Sequence, residues 1–227
     1  MKNFKAIIFD MDGTIVDTAQ IWHMCNKMFL IYRNIYTDKL FKELEYELHG
    51  LSIHKGVHIV KAVCNLLDVP DQIIIEEFEH LGLKYYELEI AFIKECENFM
   101  QKLVRHDIPM AIATNADNYG IKKIDSIVDL KRYFKNHMYG ISCVNNVCKP
   151  SPDIFLYAAN KLNINPEDCI AIEDSLYGVT ASKSAGMFTL GINTAGKPEM
   201  LQAADKIINC YSEINLSDYF NLKIREC

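Results

Sequence analysis

The sequence predicts an α/β protein, a parallel sheet flanked by helices and interrupted after its first strand by an all-helical insertion. Two observations predict it. Short apolar runs recur at Phe4–Phe9, Pro109–Ala113 and Cys169–Ile172, and each ends on a polar turn. Helical patterns separate and follow these runs, as in parallel strands joined by crossover helices. Between the first and second runs, by contrast, the chain shows helical periodicity and no strand pattern.

Taken in order, Phe4-Lys-Ala-Ile-Ile-Phe9 reads as a buried strand that stops at Asp10 and turns through Asp12-Gly13-Thr14. Four apolar stripes at helical spacing, in steps of one, three and four, follow. They are Ile21-Met24-Cys25-Met28-Phe29-Tyr32, Leu40-Leu44-Leu48, Val57-Val60-Val63-Cys64-Leu67, and Ile74-Phe78-Leu81-Tyr85-Leu88-Phe92. Successive amphipathic helices bury their stripes against one another, so residues 17–95 are expected to form a four-helix bundle. Trp22 is expected inside that bundle or facing the site.

Residues 1–16 and 96–227 make up the sheet domain. A helix through Phe99, Met100 and Leu103 leads to the strand ending at Ala113, the turn Thr114-Asn115, and a helix over Tyr119–Val128. Ser151-Pro152-Asp153 reads as a helix start with Ser151 as N-cap. Cys169–Ile172 is a strand running into Glu173-Asp174, followed by a helix that Gly186 can end. Met187–Ile192 is a further strand and Lys206–Ile208 a weaker one. Open α/β sheets bind ligands at the carboxyl ends of their strands. An insertion after the first strand would overhang that edge as a lid.

The formal charge of −6 argues against a nucleic-acid partner, which would call for a basic surplus. The eight cysteines form no CxxC pair and no regular framework, as expected of reduced thiols in a cytoplasmic protein. No apolar stretch approaches the ~20 residues of a membrane span, so no membrane partner is expected. The sequence leaves oligomeric state open, and a monomer is compatible with it.

In a parallel sheet all the strand ends point one way, so Asp10 and Asp12, Thr114 and Asn115, and Glu173 and Asp174 can converge, with Lys149 nearby. Converging carboxylates suit Mg²⁺, which prefers oxygen ligands. A lysine and a hydroxyl would hold a phosphoryl group's remaining oxygens, and one aspartate could act as nucleophile. Each signal also has a plain reading. Asp and Gly form turns, Thr-Asn is an ordinary polar turn, and Glu-Asp favours a helix N-terminus. His54 and His58, four apart, could pair on a metal, but no third ligand is evident.

Phe9-Asp10-Met11-Asp12-Gly13-Thr14-Ile15-Val16-Asp17-Thr18 resembles the first motif of the haloacid dehalogenase superfamily. Thr114-Asn115 resembles its second motif, Lys149-Pro150-Ser151-Pro152-Asp153 its third, and Glu173-Asp174-Ser175 with Gly178 and Ala181 its fourth. The insertion resembles that of the C1-capped subgroup, which includes β-phosphoglucomutase and many sugar-phosphate phosphatases. The resemblance implies a Rossmann-like core with a helical cap and a Mg²⁺-dependent phosphatase acting on a small phosphorylated metabolite. It further implies Asp10 as nucleophile, Asp12 as acid and base, and Thr114 and Lys149 as phosphoryl-binding groups. Asp10, the Asp12 carbonyl and Asp174 would bind the metal, with Glu173 close by. Asn115 and the cap loop His49-Gly50-Leu51-Ser52 would meet the substrate.

Three other readings compete. A phosphohexomutase carries basic residues where this loop has His49 and Ile53. A phospho-receiver domain is about half as long and lacks the Asp-x-Asp pair. A metal-free dehalogenase would leave Asp12 and Asp174 without a task.

Overall fold

The computed structural model describes residues 3–49, 51, 53–85 and 90–222. The chain divides into two compact units, one of Met1–Asp17 with Ala91–Cys227 and one of Thr18–Ile90. Among the described residues no helix is long and apolar enough to cross a membrane.

The first unit opens with β1 (Ala6–Phe9) and β2 (Val16–Asp17). All four residues of β1 are sealed from solvent, and a fully buried Ile or Phe contributes about 1.5–3 kcal/mol. The second unit follows, with α1 (Ala19–Tyr32), α2 (Asp38–Glu47), α3 (Ile53–Val63) and α4 (Asp71–Tyr85). The first unit resumes with β3 (Ala91–Phe92), α5 (Cys96–Arg105), β4 (Met110–Ala113), α6 (Asn118–Val128), α7 (Lys131–Phe134), β5 (Met138–Tyr139), α8 (Asp153–Leu162), β6 (Cys169–Glu173), α9 (Leu176–Ser184), β7 (Phe188–Ile192) and β8 (Lys206–Ile208).

Six strands form one parallel sheet in the order β5-β4-β1-β6-β7-β8. Phe9 of β1 stands beside Ile112 of β4 and Ile172 of β6. The residues just past these positions therefore emerge together at one edge. Strand β2 pairs with β3 in an antiparallel ribbon, Val16 opposite Phe92.

The helical unit packs on the residues its stripes supplied. Ile21, Cys25 and Phe29 of α1, Leu44 of α2, Val57 and Val60 of α3, and Ile74, Phe78 and Leu81 of α4 are buried. Phe29 and Phe78 stack with ring centroids 4.6 Å apart. Thr37 caps α2 by accepting from the Leu40 amide at 3.1 Å, which satisfies one otherwise unpaired donor.

Five expectations need correction. Tyr32, at the end of the first stripe, is exposed. Phe92 continues the α4 periodicity in sequence but lies in β3, because its backbone pairs with Val16. Leu67 lies beyond the end of α3 and is exposed. Trp22 is 39% exposed, so it is not a core residue of the bundle. Ser151 does not cap α8. The helix starts one residue later, Pro152 takes the cap position without a side-chain bond, and the Ser151 hydroxyl donates to the Asp153 carboxylate instead.

Candidate active site

Four side chains meet at the carboxyl edge of β4, β1 and β6. Asp10 follows β1 directly, and its amide donates to the Ile172 carbonyl at 3.0 Å, which fixes it beside β6. Glu173 ends β6 and Asp174 follows it. Lys149 enters from the loop before α8. Its Nζ donates to Asp10 Oδ1 at 2.5 Å and to Glu173 Oε1 at 2.6 Å. All four residues are buried.

Glu173 is held on both oxygens. Oε1 accepts from Lys149, and Oε2 accepts from the amides of Asp174 and Ser175 and from the Ser175 hydroxyl, at 3.1, 3.2 and 3.1 Å. Ser175 also caps α9, accepting from the Gly178 amide at 3.1 Å. The helix N-terminus and the acidic pair are thus built from the same few atoms.

Asp12 is half-buried in the turn after β1, bridged to Val16. Gly13 there has φ +78°, a conformation that costs glycine little. The Thr114 hydroxyl is buried and accepts from the Ala116 amide at 3.0 Å. Asn115 Oδ1 accepts from the Lys149 amide at 2.9 Å, tying the turn after β4 to the loop that carries the lysine. That bond commits one side-chain atom of Asn115 to bracing Lys149. His49 is half-buried in the helical unit, just past α2. Gly50 and Ser52 lie outside the described residues. His54 and His58 face different carboxylates, Glu79 and Asp71, each at 3.7 Å.

The electrostatics follow from burial. Loss of water pushes the Asp10 carboxyl well above its ordinary range. Lys149 opposes that shift, and Glu173 and Asp12 add to it. Asp174 is pushed up likewise, by burial first and then by Asp10 and Glu173. Burial would lower the Lys149 ammonium, but Asp10 and Glu173 outweigh it and hold the lysine above its usual range.

Asp10, Glu173 and Asp174 each offer an oxygen, all within 4.8 Å of one another. Lys149 is the one cation among the groups that pull Asp10 and Asp174 down. One ammonium against three buried carboxylates leaves a deficit of positive charge. A hard divalent cation would remove that deficit, and an all-oxygen donor set suits one. The carboxylate of Asp12 stands outside this cluster among the described residues.

Sequence reasoning named the four principal residues but not their support. Thr14 donates to Asp174 Oδ1 at 3.4 Å. Ser175, a serine directly before a helix and so a readable N-cap, holds Glu173. No local pattern marks Thr194 or Tyr211, which hold the carbonyls of Gly13 and Thr14.

A family profile for haloacid dehalogenase-like hydrolases matches residues 4–186. The chain is 27% identical to a β-phosphoglucomutase of Bacillus subtilis over 240 residues, 98% of each chain. It is 28% identical to a phosphorylated carbohydrates phosphatase of Thermotoga maritima over 188 residues, 81% of this chain and 82% of that one. Among solved structures, β-phosphoglucomutase of Clostridium difficile superposes with a TM-score of 0.80 at 23% identity, over 95% of each chain. That last likeness is one of fold.

Proposed function

The chain belongs to the haloacid dehalogenase-like hydrolases, and from that premise we propose that it hydrolyses a small phosphate monoester, a sugar phosphate or similar metabolite, through a phosphorylated Asp10. The observation that carries this reading is the convergence of Asp10, Glu173, Asp174 and Lys149 at one sheet edge. A general acid/base, Asp12, stands two residues from the nucleophile.

The chemistry needs two displacements. An Asp10 oxygen attacks phosphorus as the ester P–O bond breaks, and Asp12 gives its proton to the leaving oxygen. Water then attacks phosphorus, Asp12 takes the water's proton, and the Asp10–P bond breaks. One residue serves both steps because its protonation state after the first is the one the second requires. Lys149 and the Thr114 hydroxyl bind the transferring oxygens. Asp10, Glu173, Asp174 and the Asp12 carbonyl would hold Mg²⁺, which supplies the charge that lets a carboxylate approach a phosphate dianion.

A phosphohexomutase is the second reading, favoured by the similarity to the Bacillus subtilis enzyme over 98% of both chains. A mutase must grip a second phosphate, and arginine's bidentate fork suits that task. His49 and Ile53 are weak substitutes, and the hydrolase reading is preferred for that reason. The deciding experiment incubates the protein with Mg²⁺ and β-glucose 1-phosphate, with and without a bisphosphate primer. A parallel panel of phosphorylated metabolites accompanies it. Phosphate release from any member of the panel supports the hydrolase. Rapid isomerisation to glucose 6-phosphate with little phosphate release overturns it.

A further inference from the structure

The turn after the nucleophile is held from a distant part of the chain. Thr194 Oγ1 donates to the Gly13 carbonyl at 2.7 Å. Tyr211 Oη donates to the Thr14 carbonyl at 2.9 Å. Two consecutive carbonyls are thus gripped by donors 181 and 197 residues away. Both donors lie past residue 186, where the family profile stops matching.

The grip is built into the sheet domain at each end. Thr194 follows β7, next to Asn193, whose amide donates to the Ile208 carbonyl of β8 at 2.8 Å. Tyr211 is 1% exposed. Its ring lies 5.2 Å from that of Phe99, which in turn lies 6.3 Å from the ring of Phe9 in β1.

The gripped turn, in its turn, bounds the acidic cluster. A Cβ added at Gly13 would overlap the Asp174 carboxylate, so the Gly13 backbone lies directly against that group. The Thr14 hydroxyl donates to Asp174 Oδ1 at 3.4 Å. Movement of Gly13 and Thr14 therefore changes the wall and a hydrogen-bond donor of Asp174 together.

We propose that Thr194 and Tyr211 are positioning residues for the cation site, fixing the Gly13–Thr14 turn so that Asp174 is presented in one orientation. The inference rests on the reading of Asp10, Glu173 and Asp174 as a divalent-cation site. Partners of this kind act by restricting a ligand's freedom before the ion arrives, and their loss weakens binding without removing a ligand. Tyr211→Phe deletes one hydroxyl and keeps the ring packing. Thr194→Val deletes the other at nearly constant volume.

The test is Mg²⁺ binding by titration calorimetry on the full chain without substrate, for wild type, Tyr211→Phe, Thr194→Val, the double variant and Thr194→Ser. Thermal melting without metal is recorded beside it. Each single variant is expected to weaken Mg²⁺ binding about three- to tenfold, and the double variant more than either. Thr194→Ser, which keeps the hydroxyl, is expected to bind within about twofold of wild type. In turnover the Mg²⁺ concentration for half-maximal rate is expected to rise by a larger factor than the saturated rate falls. A merely structural role would lower the melting temperature of folded variants with Mg²⁺ affinity unchanged, and that result overturns the proposal while leaving the cation site standing. Failure of folded wild type to bind Mg²⁺ overturns the cation reading itself, and the proposal falls with it.

Discussion

The carboxylate of Glu173 occupies the space that a Cβ on Gly178 would need. Both of its oxygens are committed, one to Lys149 and the other to the Asp174 and Ser175 amides and the Ser175 hydroxyl. It cannot step aside without breaking the site. Within a helix, Gly→Ala normally stabilises by about 0.5–1 kcal/mol. Gly178→Ala is expected to do the opposite, costing about 1–3 kcal/mol through overpacking and reducing turnover. Urea unfolding decides the sign, and a stabilised variant would mean that α9 can shift away from Glu173 freely.

Asp10→Asn is expected to abolish phosphate release by several orders of magnitude. The amide is a poor nucleophile, while the side chain keeps its size in a buried position. The variant should melt cooperatively. Turnover within tenfold of wild type would remove Asp10 from the nucleophile's role.

Asp12→Ala is expected to slow both formation and hydrolysis of the phosphorylated enzyme, because one group serves as acid and then as base. Rapid-quench measurement of phosphate on Asp10 resolves the two steps. Slowing of one step alone would contradict the dual role.

Chelation is expected to abolish turnover, and added Mg²⁺ to restore it. Burial and mutual repulsion push Asp10 and Asp174 up, a divalent cation on the Asp10–Glu173–Asp174 oxygens would hold them ionised, and a carboxylate attacking a phosphate dianion needs its charge offset. Asp174→Ala should raise the Mg²⁺ requirement or abolish activity. Undiminished turnover after verified metal removal would refute the metal dependence.

The buried thiols offer a test of the packing. Burial pushes Cys25, Cys96 and Cys169 up to about 12 and Cys64 up to about 11. In the unfolded chain these thiols ionise near pH 8.5. The unfolded state therefore loses its protons first, and stability falls as pH rises from about 8.5 towards the folded values. At pH 8 a thiol reagent is expected to label the half-buried Cys143 and Cys210 in the native protein. Cys25, Cys64, Cys96 and Cys169 should react only on unfolding. Native labelling of these four at the unfolded rate would show that the core is open.

Much of the sheet was legible because its signals are local. An apolar run such as Ala6–Phe9 carries its burial in its own residues, and the polar residues at its end mark the edge where it stops. The short pieces were illegible for the matching reason. Strands β2, β3 and β5 have two residues each, too few to show a period of two. Phe92 obeys the helical repeat and lies in a strand because its partner Val16 is 76 positions earlier.

By itself the sequence determined the alternation of strands and helices and the main helical stripes of residues 19–85, and it named Asp10, Asp12, Thr114, Lys149, Glu173 and Asp174 as candidate site residues. Periodicity and turn chemistry are properties of neighbouring residues, so a linear reading captures them. Only the tertiary structure decided that Lys149 divides its ammonium between Asp10 and Glu173, 139 and 24 positions away. It alone revealed that Asn115 braces the lysine's backbone, and that Thr194 and Tyr211 hold the turn beside Asp174. These bonds join atoms whose proximity is set by strand order and register, and no local pattern encodes that proximity.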